Sequence, residues 1–121
     1  MHQKNLWQET SKEKIAFGNL KKSITTDLVV VGGGFTGCST ALFAAKNGLS
    51  VTLIDQKIGY GGSGRNVGLV NAGLWMPPEK VESILGLDAG VKLNNALATA
   101  PDLVFSLIDD YEMNCSANRS G

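Results

Sequence analysis

The chain has 121 residues, 43% hydrophobic and 18% charged, the make-up of one small folded domain rather than a disordered tail. Its formal net charge is zero, with lysines gathered in the first 22 residues and acids at Asp109, Asp110 and Glu112, so no basic surface points to nucleic acid. No apolar run approaches the roughly 18 residues that span a bilayer, and the opening MHQKNLWQETSKEK lacks the apolar core of a signal peptide, which leads us to expect a cytoplasmic protein without a membrane partner.

Residues 1–26 are polar and aperiodic, with Leu6, Trp7, Ile15, Phe17 and Leu20 scattered among lysines, and read as an extended arm that Trp7 anchors by packing. DLVVV, residues 27–31, is an unbroken β-branched run of the kind found in a strand buried on both faces of a parallel sheet. From Phe35 to Asn47, Cys38, Ala41, Leu42 and Ala45 fall on one helical face, and Gly48 stands where a left-handed C-terminal cap is wanted. SVTLID, residues 50–55, is a second apolar run, and strand, helix and strand within about thirty residues make a right-handed βαβ unit. From Gly59 to Gly73 glycine and asparagine dominate, which predicts a long functional loop. Pro77 and Pro78 then open a helix with Val81, Ile84 and Leu85 on one face, ended near Gly86. In a second helical pattern, Leu93, Leu97, Val104, Leu107, Ile108 and Tyr111 form a stripe that Pro101 is expected to kink or split, and the tail NCSANRSG is expected to start a strand. Cys38 and Cys115 match no metal-ligand spacing and read as small apolar fillers; no metal site is expected. The acceptor-like triplets at Asn114 and Asn118 carry no weight without secretion.

The chemistry concentrates in VVVGGGFTGCS, residues 29–39. Gly32, Gly34 and Gly37 follow the G-x-G-x-x-G spacing after a strand and at the mouth of a helix. The first permits the tight turn, the second lets a pyrophosphate approach the main chain without meeting a Cβ, and the third lets helix and strand pack closely. A helix start has unpaired N–H groups and about half a positive charge, so an anionic diphosphate settles there without a lysine. Asp55 ends the second strand 23 residues after Gly32, where an acid accepts hydrogen bonds from a ribose diol. These residues imply an adenine dinucleotide and leave NAD and FAD both open. The loop that follows, with Gly61, Gly62, Ser63, Gly64, Arg65, Asn66 and Gly68, can wrap a cofactor's middle with backbone amides, where a nicotinamide-binding unit more usually proceeds to another helix.

DLVVVGGGFTGCSTALFAAKNGLSVTLID followed by GYGGSGRNVGLV resembles the N-terminus of the FAD-dependent amine and amino-acid oxidoreductases of the D-amino acid oxidase, glycine oxidase and sarcosine oxidase superfamily. The GSGRN-x-G form is most similar to its gamma-glutamylputrescine oxidoreductase branch. The resemblance covers the chain from about Asp27 onward. It implies that Gly32, Gly34, Phe35, Thr36 and Gly37 hold the FAD diphosphate and Asp55 the adenosine ribose. Gly62, Ser63, Gly64, Arg65, Asn66 and Gly68 then lie between the diphosphate and the flavin ring. Some members tether the flavin through a histidine or cysteine; here the only histidine is His2 and neither cysteine lies in that loop, so non-covalent FAD is expected.

The expected fold class is α/β, a Rossmann-like βαβ FAD-binding unit with an incomplete parallel sheet, followed by helices. The expected organisation is an arm over 1–26, the βαβ unit and glycine-rich flavin loop over 27–75, and a helical segment over 76–121 leading into a substrate domain. The resemblance implies the N-terminal part of a longer enzyme that oxidises a C–N bond of a small-molecule amine or amino acid, inactive as these residues alone. No residue has a claim to a catalytic role. An NAD-dependent oxidoreductase and a non-catalytic interaction module are the alternatives.

Overall fold

The computed structural model describes residues 5–13 and 16–120, so His2 and Ile15 lie outside the described residues. The chain forms two compact units, Met1–Val67 and Gly68–Gly121.

The first unit is built from α1 (Leu6–Thr10), β1 (Leu28–Val31), α2 (Phe35–Lys46) and β2 (Val51–Ile54). The strands pair in parallel with Leu28 opposite Val51 and Val31 opposite Ile54. A polar clasp sets this register at the strand starts. The Ser50 N–H and hydroxyl donate to Asp27 Oδ2 at 2.9 and 2.6 Å, and the Thr26 hydroxyl donates to the Ser50 carbonyl at 2.6 Å. These contacts hold the Asp27 carboxyl below its ordinary range, the Ser50 side chain first and its backbone second. Helix α2 is capped by Gly34 at its start and Asn47 at its end, and Gly48 takes the left-handed φ of 84° that turns the chain into β2. It lies on the Val30 side of the sheet, where a Cβ on Gly37 would stand 3.3 Å from Val30 Cγ1.

Expectations for the arm and for β1 are corrected. The arm is not wholly extended, because the Asn5 side chain accepts the Gln8 N–H at 2.8 Å and caps the short helix α1. Trp7 fastens it by a hydrogen bond and not by the expected packing, donating its indole N–H to the Asn66 carbonyl at 2.9 Å while its ring stays exposed. Nor is β1 buried on both faces: Val30 is buried, whereas Val29 and Val31 are 54% and 80% exposed. Alternation across the pleat puts Val29 and Val31 opposite the face that α2 covers.

The second unit is a pair of helices, α3 (Pro78–Leu85) and α4 (Leu87–Asp110), separated by Gly86 at φ 82°. Pro78 suits the first helical turn, where its missing N–H costs no bond. Val81 is buried but Ile84 and Leu85 are exposed, so the predicted α3 face is only partly used. The two helices touch at Gly90, where a Cβ would lie 2.4 Å from Glu82 Cα. Four residues on, the Asn94 amide donates to the Pro78 carbonyl and to Glu82 Oε1, both at 3.1 Å. Pro101 does not split α4, which runs through it as one helix; a proline removes one N–H from a ladder that the other turns maintain. No strand forms in the described part of the tail, residues 112–120. Arg119 instead pairs with Asp102 and lies 5.2 Å from the Phe105 ring centroid. Cys38 and Cys115 are exposed and do not fill a core. No helix among the described residues is long and apolar enough to cross a membrane.

Alanine in place of Gly90 gains about 1 kcal/mol of helix propensity, but its Cβ would press on the α3 backbone, and overpacking of this kind costs about 1–3 kcal/mol. Gly90→Ala is therefore expected to lower the thermal unfolding midpoint of the protein that carries this chain. A midpoint unchanged or raised in circular dichroism would contradict the close helix contact.

Candidate functional site

The turn after β1 and the loop after β2 meet at one end of the sheet. The Gly32 N–H donates to the Ile54 carbonyl at 2.8 Å, which extends the strand ladder by one bond. Gly32 then turns with φ 107°, a conformation that side chains other than hydrogen rarely permit. A Cβ on Gly37 would fall 1.8 Å from the Gly32 carbonyl oxygen, so only glycine lets α2 start this close to the strand. Gly34 caps α2 without a side chain.

The start of α2 is open to a ligand. The Cys38 N–H makes the first helical bond, to the Gly34 carbonyl at 2.9 Å, and the Phe35 N–H donates to the Ser63 hydroxyl at 3.0 Å. The Thr36 and Gly37 N–H groups precede that ladder and find no partner among the described residues. Beside them lies a cleft of about 260 Å³ walled by Gly33, Gly34, Asp55, Gln56, Lys57 and Gly59 to Gly64. Complete small-molecule pockets measure roughly 300–1,000 Å³, so this cleft suits part of a dinucleotide. A Cβ on Gly34 would stand 3.0 Å from Ser63 Oγ and narrow it. Unpaired N–H groups, a helix start and a glycine kept clear of side chain are what a diphosphate requires, and the residues fit FAD in this respect.

Asp55 braces the site. Its Oδ2 accepts the Gly33 N–H and its Oδ1 the Lys57 N–H, both at 2.6 Å. The Gly33 bond first and the Lys57 bond second hold the carboxyl below its ordinary value of 3.8, against a small opposing effect of desolvation. Opposite it, the loop makes a 3-10 turn over Ser63–Arg65, and a Cβ on Gly64 would lie 1.9 Å from the Gly59 carbonyl oxygen. The Asn66 amide donates to the Ser63 carbonyl and closes that turn.

Of the residues singled out in the sequence, Gly34, Asp55, Gly62, Ser63 and Gly64 line the cleft together. Gly32, Phe35, Thr36 and Gly37 form the turn and helix start behind it, and Arg65 and Asn66 complete the 3-10 turn. Gly68 falls in the second unit with φ 77°. Sequence reasoning missed Lys57 and Tyr60, which also line the cleft. An aromatic flanked by cations in KIGYGGSGR was the available signal.

The profile of the FAD dependent oxidoreductase family matches residues 27–121. Gamma-glutamylputrescine oxidoreductase of Escherichia coli is 30% identical over 99% of this chain and 28% of its own length. A probable oxidoreductase OrdL of Rhizobium meliloti is 32% identical over 87% of the chain and 25% of its own. The mitochondrial L-2-hydroxyglutarate dehydrogenase of Caenorhabditis elegans is 40% identical over 59% of the chain and 19% of its own. The chain thus spans little more than a quarter, at most, of these three relatives. No solved structure matches it.

The Asp55 bracing has a pH signature. A depressed carboxyl stabilises the fold above its unfolded value of 3.8, and that contribution is lost as pH falls through the lower folded value. An NMR titration of the Asp55 carboxyl is expected to show a midpoint below 3.8; a midpoint at or above it would mean that the Gly33 and Lys57 bonds do not persist in solution.

Proposed function

The chain belongs to the FAD dependent oxidoreductase family, and from that premise we propose that it supplies the diphosphate- and ribose-binding part of an enzyme oxidising a C–N bond of an amine or amino acid. The observation that carries the cofactor role is the start of α2, with the Thr36 and Gly37 N–H groups unspent and Gly34 offering no side chain. The amine assignment rests on the relative matched over 99% of the chain, which is named for gamma-glutamylputrescine. The match to an L-2-hydroxyglutarate dehydrogenase supports a second reading, oxidation of a hydroxy acid at C–O.

In this proposal Gly32, Gly34, Phe35, Thr36 and Gly37 form the phosphate cradle. Asp55 accepts the ribose hydroxyls while keeping its backbone bonds, since a carboxylate has about four acceptor positions and only two are in use. Gly62, Ser63, Gly64, Arg65, Asn66 and Gly68 follow the cofactor from diphosphate toward the flavin. FAD held by these residues would supply a hydride acceptor for the carbon bonded to an unprotonated substrate nitrogen, chemistry that converts an amine to an imine. The residues here bind and orient, and none is assigned a catalytic proton transfer. In this proposal FAD is held without a covalent bond to this chain, whose Cys38 lies in α2 and outside the loop over 62–68.

Gly34→Val in the protein that carries this chain is expected to abolish flavin retention, because the branched side chain meets Ser63 and fills the diphosphate space. Absorbance of the purified variant at the flavin bands checks this, and normal flavin content would refute the cradle. Asp55→Asn should weaken FAD binding less, on the order of tenfold, since the amide oxygen still accepts a ribose hydroxyl but without the charge that strengthens the bond. Equal affinity in a fluorescence titration would return Asp55 to a loop-bracing role alone. Flavin reduction by amines but not by 2-hydroxy acids, followed anaerobically, separates the two substrate readings.

A further inference from the structure

Lys57 and Tyr60, which line the cleft, and Arg65, which follows the lining residue Gly64, form a cluster that lies outside the glycine fingerprint. The Lys57 ammonium is 4.3 Å from the Tyr60 ring centroid and the Arg65 guanidinium carbon 5.4 Å from it. Both distances lie within the roughly 6 Å reach of cation–π attraction. Each cation is tied to one end of the site. The Lys57 N–H donates to Asp55, the proposed ribose acceptor, and Arg65 ends the 3-10 turn whose Ser63 hydroxyl takes the Phe35 N–H at the start of α2.

Neither cation forms an ion pair among the described residues; the ion pairs found there are Lys92 with Asp88 and Arg119 with Asp102. Asp55 is the one carboxylate lining the cleft, and each of its oxygens already accepts a backbone N–H. Lys57 on the cleft wall, Arg65 next in the chain to the lining residue Gly64, and the helix start therefore outweigh one committed carboxylate, an excess of positive charge that matches a dianionic diphosphate. An exposed ring holds a cation only weakly, whereas a charge-assisted hydrogen bond to phosphate is stronger.

We propose that Lys57 and Arg65, held ready over Tyr60, supply counter-charge for the diphosphate of the bound dinucleotide, with Tyr60 as the residue that positions them. This rests on the dinucleotide reading above, and it adds to the backbone cradle an electrostatic component that salt should weaken. Both cations are exposed, so replacing either leaves the fold unburdened.

The test is a flavin-fluorescence titration of FAD into the flavin-stripped protein that carries this chain, at low and high salt, with inorganic pyrophosphate as competitor. Wild type is compared with Lys57→Met, Arg65→Met, Tyr60→Phe and Tyr60→Leu. Lys57→Met and Arg65→Met are each expected to weaken binding at low salt by roughly three- to tenfold, to flatten its salt dependence and to lessen competition by pyrophosphate. Tyr60→Phe should match wild type, and Tyr60→Leu should fall between wild type and the cation variants. If wild type binds FAD and the two cation variants bind it equally well with the same salt dependence, the proposal is overturned alone. A wild type that takes up no FAD overturns the dinucleotide reading and this proposal with it.

Discussion

A missing methyl group organises the first unit. A Cβ at residue 37 would penetrate the Gly32 carbonyl oxygen at 1.8 Å, and its absence lets α2 start directly against the end of β1. From that close approach follow the position of the helix start at the sheet end, the burial of Val30 beneath the helix, and the exposure of the Thr36 and Gly37 N–H groups ahead of the first helical bond. A side chain there would move the helix away from the strand and carry the N–H groups with it. The glycines thus serve geometry, while attraction for an anion comes from the peptide dipoles they align.

The loop after β2 completes the site by hydrogen bonds rather than by packing. Asp55 ties the turn after β1 to its own loop through the Gly33 and Lys57 N–H groups, and Ser63 reaches across 28 residues to the Phe35 N–H. Trp7 and Asn5 fasten the N-terminal helix to the same loop through the carbonyls of Asn66 and Gly59. Such polar ties hold a glycine-rich segment that has little apolar surface to bury, and they leave its backbone near the cleft. The two Asp55 ties depend on an ionised carboxyl, which makes that part of the arrangement sensitive to acid in a way that an apolar contact is not.

Apolar burial is sparse in both units. Among the described residues, Val30 is the buried hydrophobic residue of the first and Val81 that of the second, while Val29, Val31, Leu69 and Trp75 remain exposed. The chain covers about a quarter of the length of gamma-glutamylputrescine oxidoreductase. The cleft, smaller than a whole dinucleotide needs, is consistent with a chain that contributes one part of a cofactor site.

The βαβ unit was legible in the sequence because its signals are local. A β-branched run, a helical period, a second apolar run and three glycines at fixed spacing each report on a few consecutive residues, and the family resemblance follows from the same stretch. Gly48, Gly86 and the opening of α3 by Pro78 were legible for the same reason, since a left-handed φ or a missing N–H is a property of one residue. What touches what was not local. The exposed second face of β1, the unbroken passage of α4 through Pro101, the Gly90 contact with Glu82 and the pairing of Arg119 with Asp102 depend on which element packs where. The placement of Lys57 and Arg65 on Tyr60 belongs with these, because a cation and a ring meet only when the loop between them is folded. Sequence by itself therefore determined the backbone scaffold and the kind of ligand it suits. Tertiary structure alone decided which side chains line the cleft, because distances between residues far apart in the chain are set by packing and hydrogen bonds that no single segment encodes.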